Sequence, residues 1–93
     1  MLSSRQKINI LLADDDKADI FLIKEAFKHF KADISLTTVS DGVEVCSYLE
    51  NCDLSETLEF PDLMILDLNM PKMGGIEVIK NIKKNDKFKS IPV

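Results

Sequence analysis

The sequence predicts an open, doubly wound parallel α/β sheet, and three features carry that prediction. Two short apolar runs, residues 8–13 and 63–66, each lead directly into an aspartate. Each run is followed by residues with helical hydrophobic spacing. Strand-like and helix-like patterns alternate along the whole chain, as βα units on a parallel sheet do.

The chain has 93 residues, the length of one small domain, and no interdomain linker, repeat or low-complexity tract. The expectation is one domain over residues 1–93. Its net charge of -4 argues against nucleic-acid binding, which needs a basic footprint. An acidic balance is compatible with a bound cation. The longest apolar runs are far shorter than a membrane span and no secretory signal is visible, so a cytoplasmic protein is expected. Cys46 and Cys52 form no CxxC pair and are expected as reduced thiols. His29 lies among lysines and reads as a surface residue.

Residues 8–13 are apolar except Asn9, a length and composition that suit a strand buried on both faces. Asp14-Asp15-Asp16 ends it, and Asp16 is placed to cap the next helix. That helix is expected over residues 17–30, with Ile20, Ile23, Phe27 and Phe30 on one face, widened by Phe21 and Ala26. Residues 34–39 alternate with period two and read as an edge strand. Asp41-Gly42 marks a turn. Val45, Cys46 and Leu49 then give a short helix ending near Glu50, and residues 51–61 read as a polar surface loop.

The third strand is expected over residues 63–68, buried on both faces. Residues 69–75 form a loop, because Pro71 lacks a donor and Gly74 and Gly75 tolerate unusual backbone angles. Ile76, Ile79 and Ile82 place a third helix over residues 75–84. Residues 85–90 are polar, and Ile91-Pro92-Val93 reads as the start of a fourth strand. Lys80, Lys83, Lys84, Lys87 and Lys89 read as a solvated face suited to the negative end of that helix.

If the second and third strands flank the first, a switch point lies between strands one and three. Ligands of open α/β sheets sit there, at the carboxyl ends of the strands. Asp14, Asp15 and Asp67 would converge at that end. Crowded carboxylates repel, and a proton or cation relieves them. Oxygen donors select a hard ion, and Mg²⁺ suits a site with few protein ligands and a phosphate. Asp67 is also too far from the next helix to cap it, which favours a chemical role, such as a nucleophile toward a phosphoryl group.

The segment Leu66-Asp67-Leu68-Asn69-Met70-Pro71-Lys72-Met73-Gly74-Gly75 resembles the phosphoacceptor segment of response-regulator receiver domains. Ile10-Leu11-Leu12-Ala13-Asp14-Asp15-Asp16 resembles their first strand and acidic pair. Asp41-Gly42 and Pro61-Asp62 also sit where this family carries them. The resemblance implies a flavodoxin-like fold and a role in two-component phosphorelay. Asp67 would accept phosphate from a sensor histidine kinase or phosphotransfer protein. Asp14, Asp15, Asp67 and the backbone carbonyl of Asn69 would hold Mg²⁺. Met70 and Pro71 would shape the loop, and Gly75 would allow the turn into the third helix. The polar stretch 51–61 resembles stand-alone receivers paired with phytochrome-like or hybrid kinases.

Against the family pattern, the sequence stops at the beginning of strand four. Most of that strand, the fourth helix, the fifth strand and the fifth helix are not in it, nor are the Ser or Thr and the Lys that contact the phosphoryl group. The expectation is a fragment of a longer protein that accepts phosphate without a complete means of reading it, with an exposed edge open to self-association. Two other readings compete. A haloacid-dehalogenase-type phosphatase needs a second acid two residues after the nucleophile, where this chain has Asn69. A degenerate receiver acting only as an interaction module would leave the converging carboxylates without a purpose.

Overall fold

The computed structural model describes residues 7–30, 32–55, 57–68, 70 and 72–93. The first strand, β1 (Lys7–Ala13), is the centre of a three-stranded parallel sheet, with β2 (Asp33–Val39) on one side and β3 (Leu63–Leu66) on the other. Ile10, Leu11, Leu12 and Ala13 are all buried, because a central strand is covered on both faces. Leu11 and Ala13 belong to the main core, together with Val45, Leu49, Met64, Val78 and Ile82. Ile10 and Leu12 alternate to the other face.

The connections are α1 (Lys17–Phe27), α2 (Gly42–Leu54) and α3 (Gly75–Lys84). Strand order reverses direction at β1, so right-handed crossovers put α1 on one face and α2 on the other. The sequence-predicted fold class therefore holds. No helix among the described residues is long and apolar enough to cross a membrane.

Several boundaries differ from the sequence reading. The first helix ends at Phe27 rather than Phe30, because Lys28, His29 and Phe30 donate to carbonyls three residues back and tighten the last turn. Its apolar face is shallow: Ile20, Ile23 and Phe27 are half-buried, whereas Phe21 and Phe30 are about 60% exposed at 61% and 59%. His29 is exposed, as its lysine-rich context suggests.

Helix α2 runs four residues past Glu50, to Leu54. Cys52 extends the stripe of Val45 and Leu49 by one turn and is buried, which outweighs the polar residues on the outer side. The polar loop is correspondingly shorter. Ser55 closes the helix, and its hydroxyl accepts from the amides of Thr57 and Leu58 at 3.0 and 2.9 Å. Both cysteines are free thiols.

Strand β3 ends at Leu66, not Leu68, and Leu68 is exposed. Its residues are mostly half-buried rather than fully covered. At its start the Asp62 amide donates to the Asn9 carbonyl at 2.7 Å, and the Asp62 carboxylate accepts from the Asn9 amide at 2.8 Å. Residues 91–93 form no strand, yet Met64 donates to the Pro92 carbonyl at 2.9 Å along the outer edge of β3.

The stretch 85–90 is not merely polar. Phe88 is buried and meets Phe60 edge-on, with ring centroids 5.8 Å apart. Lys87, read as part of a solvated face, pairs with Asp53 of α2 at 2.8 Å.

Candidate functional site

The site is built by the ends of the strands. Ala13 is the last β1 residue in register, opposite Val39 of β2 and Leu66 of β3. One residue further, the Asp14 amide donates to the Val39 carbonyl at 3.0 Å, and the Asp67 amide donates to the Ala13 carbonyl at 2.9 Å. The sheet ladder thus fixes both backbones at the same level. One carboxylate oxygen from each of Asp14, Asp15 and Asp67 lies within 4.8 Å of the others. The structure brings these three sequence-predicted residues together at the switch point.

Their surroundings differ. Asp14 is buried at 7% exposure, Asp15 is exposed and Asp67 is half-buried. Asp14 accepts from the Asp16 amide at 2.9 Å, which orients its carboxylate. Asp16 turns away to cap α1, accepting from Ala18 and Asp19 at 2.8 and 3.4 Å. The helix start therefore occupies Asp16 and leaves Asp14 and Asp15 to the cluster. Asn69 and Pro71, read from the sequence as a carbonyl ligand and a loop former, lie outside the described residues.

Four carboxylates also act on Asp19, in the first turn of α1. Asp16 foremost, then a small loss of hydration, then Asp14, Asp67 and Asp15 raise its pKa above the ordinary 3.8. The field of the cluster thus reaches an exposed neighbour. An open cleft of about 390 Å³ lies beside Asp14 and Asp15 and is bounded by Lys17, Lys24, Thr38 and Ser40.

The loop after Asp67 departs from expectation in one respect. Neither Gly74 nor Gly75 has a positive φ; that conformation falls on Lys72, at φ 66°. Gly75 is needed for space instead. A Cβ there would lie 2.7 Å from the Asp67 carbonyl oxygen and 2.9 Å from the Leu68 Cα. The first turn of α3 is thereby packed against the strand end that carries Asp67.

Sequence reasoning gave Asp41 only a turn. In the structure Asp41 is buried and caps α2, accepting from the Glu44 amide at 2.8 Å, while Glu44 accepts from the Ser40 amide at 2.5 Å. The Asp-x-x-Glu spacing, a relative of the capping box, was the available signal.

An all-oxygen set of three converging carboxylates fits a hard divalent cation. It does not fit a soft metal, which prefers thiolate or imidazole donors.

Comparison with known proteins agrees with this fold. A sequence profile described as the response regulator receiver domain matches residues 10–93. Response regulator Rcp1 of Synechocystis sp. is 40% identical over 84 residues, covering 90% of this chain and 57% of that protein. The crystal structure of the Mn²⁺-bound form of Rcp1 superposes with a TM-score of 0.83 at 40% identity, over 92% of this chain and 62% of the other. The phosphorylated cyanobacterial phytochrome response regulator RcpA superposes with a TM-score of 0.84 at 40% identity, over 95% and 63%. The chain spans less than two thirds of each of these proteins.

Proposed function

This chain belongs to the response regulator receiver family of two-component signalling, and from that premise we propose that Asp67 is its phosphoacceptor, with Asp14, Asp15 and Asp67 holding Mg²⁺. Receiver domains are signalling domains rather than enzymes of the usual kind. The observation that carries the proposal is the convergence of three carboxylates at the strand ends, one of them directly following β3.

In the proposed reaction a carboxylate oxygen of Asp67 bonds to phosphorus in line with the donor's leaving group. With a phosphohistidine donor the P–N bond breaks, the imidazole nitrogen keeps the electron pair and takes up a proton from water. The product is an acyl phosphate on Asp67. The Ala13–Asp67 hydrogen bond holds the nucleophile's backbone still, and the Asp16 amide orients Asp14. A bound divalent cation supplies neutralising charge for the phosphoryl oxygens. The Asn69 carbonyl completes the proposed ligand set.

The partner we propose is a sensor histidine kinase or a phosphotransfer protein. The kinship with a phytochrome response regulator favours a kinase of the phytochrome class. The test is transfer of labelled phosphate from a phosphorylated histidine kinase. Wild-type protein acquires label in the presence of Mg²⁺, and Asp67→Asn does not; equal labelling of the two removes the proposal.

A further inference from the structure

The loop that follows Asp67 is tied to the start of α2 by three contacts. Lys72 Nζ lies 3.5 Å from Asp41 Oδ2. The Gly42 amide donates to the Met73 carbonyl at 3.1 Å. A Cβ on Gly42 would collide with the carbonyl oxygen and Cβ of Met73, so the two backbones are in direct contact. Asp41 joins the two elements with one side chain: Oδ1 caps α2 through Glu44, and Oδ2 faces Lys72.

Two features indicate that this contact is more than a surface ion pair. Asp41 is buried, with a side chain only 7% exposed, so its charge has little water to replace Lys72. Lys72 also holds a left-handed backbone, φ 66°, which a residue with a Cβ adopts reluctantly. A strained conformation persists where the surroundings over-determine it. Here the surroundings are the buried carboxylate and the Met73–Gly42 hydrogen bond.

We propose that Asp41 and Lys72 are positioning residues that clamp Lys72 and Met73, in the connection from Asp67 to α3, onto α2 and so set the cation and phosphoryl site at Asp67. The inference deepens the reading of Asp67 as acceptor and rests on it. The chain from clamp to site is short. The Gly75 amide donates to the Leu68 carbonyl at 3.4 Å, next to Asp67, and the clamp at Lys72 and Met73 fixes the other end of the loop. Releasing that end lets Lys72 relax toward an ordinary backbone and loosens the Gly75–Leu68 contact beside Asp67.

Lys72→Gly separates positioning from stability. Glycine adopts φ 66° without strain, which offsets part of the cost of leaving the Asp41 charge without its ion pair. Asp41→Asn retains an oxygen to cap α2 and removes the charge. The experiment is Mg²⁺ titration by calorimetry, with thermal unfolding of the metal-free proteins alongside. Lys72→Gly and Asp41→Asn are expected to bind Mg²⁺ about threefold to tenfold more weakly. The double variant should be no weaker than the worse single one, and Lys72→Arg should bind within about twofold of wild type. Wild-type affinity in both Asp41→Asn and Lys72→Gly overturns the proposal. If the wild type itself does not bind Mg²⁺, the metal reading falls, and the clamp is judged by amide exchange without metal. Faster exchange at Gly42 in Lys72→Gly then supports it, and unchanged exchange overturns it.

Discussion

The Asp67 amide donates to the carbonyl of Ala13 at 2.9 Å, and Ala13 is the residue immediately before Asp14. Two acids 53 positions apart in sequence are thereby seated side by side, each one step beyond the last ladder pair. Most of the site's geometry follows from that register, because side-chain placement at a strand end is inherited from the strand.

Cation binding should stabilise the fold by linkage. At a Mg²⁺ concentration about 100 times its dissociation constant, the gain is about 2.7 kcal/mol. Asp15→Asn removes an exposed carboxylate of the cluster and leaves the buried Asp14 in place. Thermal unfolding with and without Mg²⁺ should show a rise in wild type and a much smaller one in Asp15→Asn. Equal rises would place the cation elsewhere.

Gly75→Ala should cost about 1–3 kcal/mol, because the added methyl meets backbone, the Asp67 carbonyl oxygen at 2.7 Å, and not a side chain that can turn away. Urea unfolding measures the loss. Gly74→Ala, whose nearest new neighbour is the Leu68 carbonyl oxygen at 3.2 Å, should cost less.

Asp19 gives the fold a pH signature. An acid in the first turn of a helix is usually favoured, but the neighbouring carboxylates, led by Asp16, outweigh that and raise its pKa above 3.8. A raised carboxyl pKa means the folded state holds the proton more tightly than the unfolded one, so ionised Asp19 weakens the fold. Asp19→Asn should therefore be more stable than wild type at pH 7. The gain should shrink as pH falls through the folded value and vanish below 3.8. Denaturation of the pair at neutral and acid pH checks this, and an NMR titration of the Asp19 carboxyl locates the window.

Thiol reactivity should follow burial. Loss of hydration raises the pKa of both thiols above 9.0, assisted at Cys46 by Glu50 and opposed at Cys52 by a hydrogen bond with Tyr48. Buried Cys52, whose Sγ also lies 3.4 Å from the Glu59 carbonyl, should alkylate far more slowly at pH 8 than a free thiol, with half-buried Cys46 faster. Mass-spectrometric timing of iodoacetamide labelling reads both.

The alternation of strands and helices and the Asp16 cap were legible in the sequence because each depends on local pattern, whereas the meeting of Asp14, Asp15 and Asp67 followed only on the condition, implied by the family resemblance, that β2 and β3 flank β1. What escaped depends on tertiary contact. The run of α2 to Leu54 rests on burial of Cys52, the place of Phe88 in the core rests on Phe60, and the end of β3 at Leu66 follows the end of its ladder with β1 at Ala13. The left-handed residue was sought at the glycines, the usual bearers, and lies at Lys72 because Asp41 and Gly42 hold the loop there.

The central claim is that Asp67 carries the phosphoryl group, and locating the group tests it most directly. The protein is treated with acetyl phosphate and Mg²⁺, reduced with borohydride to convert an acyl phosphate to homoserine, digested and sequenced by mass spectrometry. Homoserine at position 67, absent from Asp67→Asn and from protein incubated with a chelator, is the predicted result. Homoserine at Asp14 or Asp15, or none anywhere despite bound Mg²⁺, would contradict it.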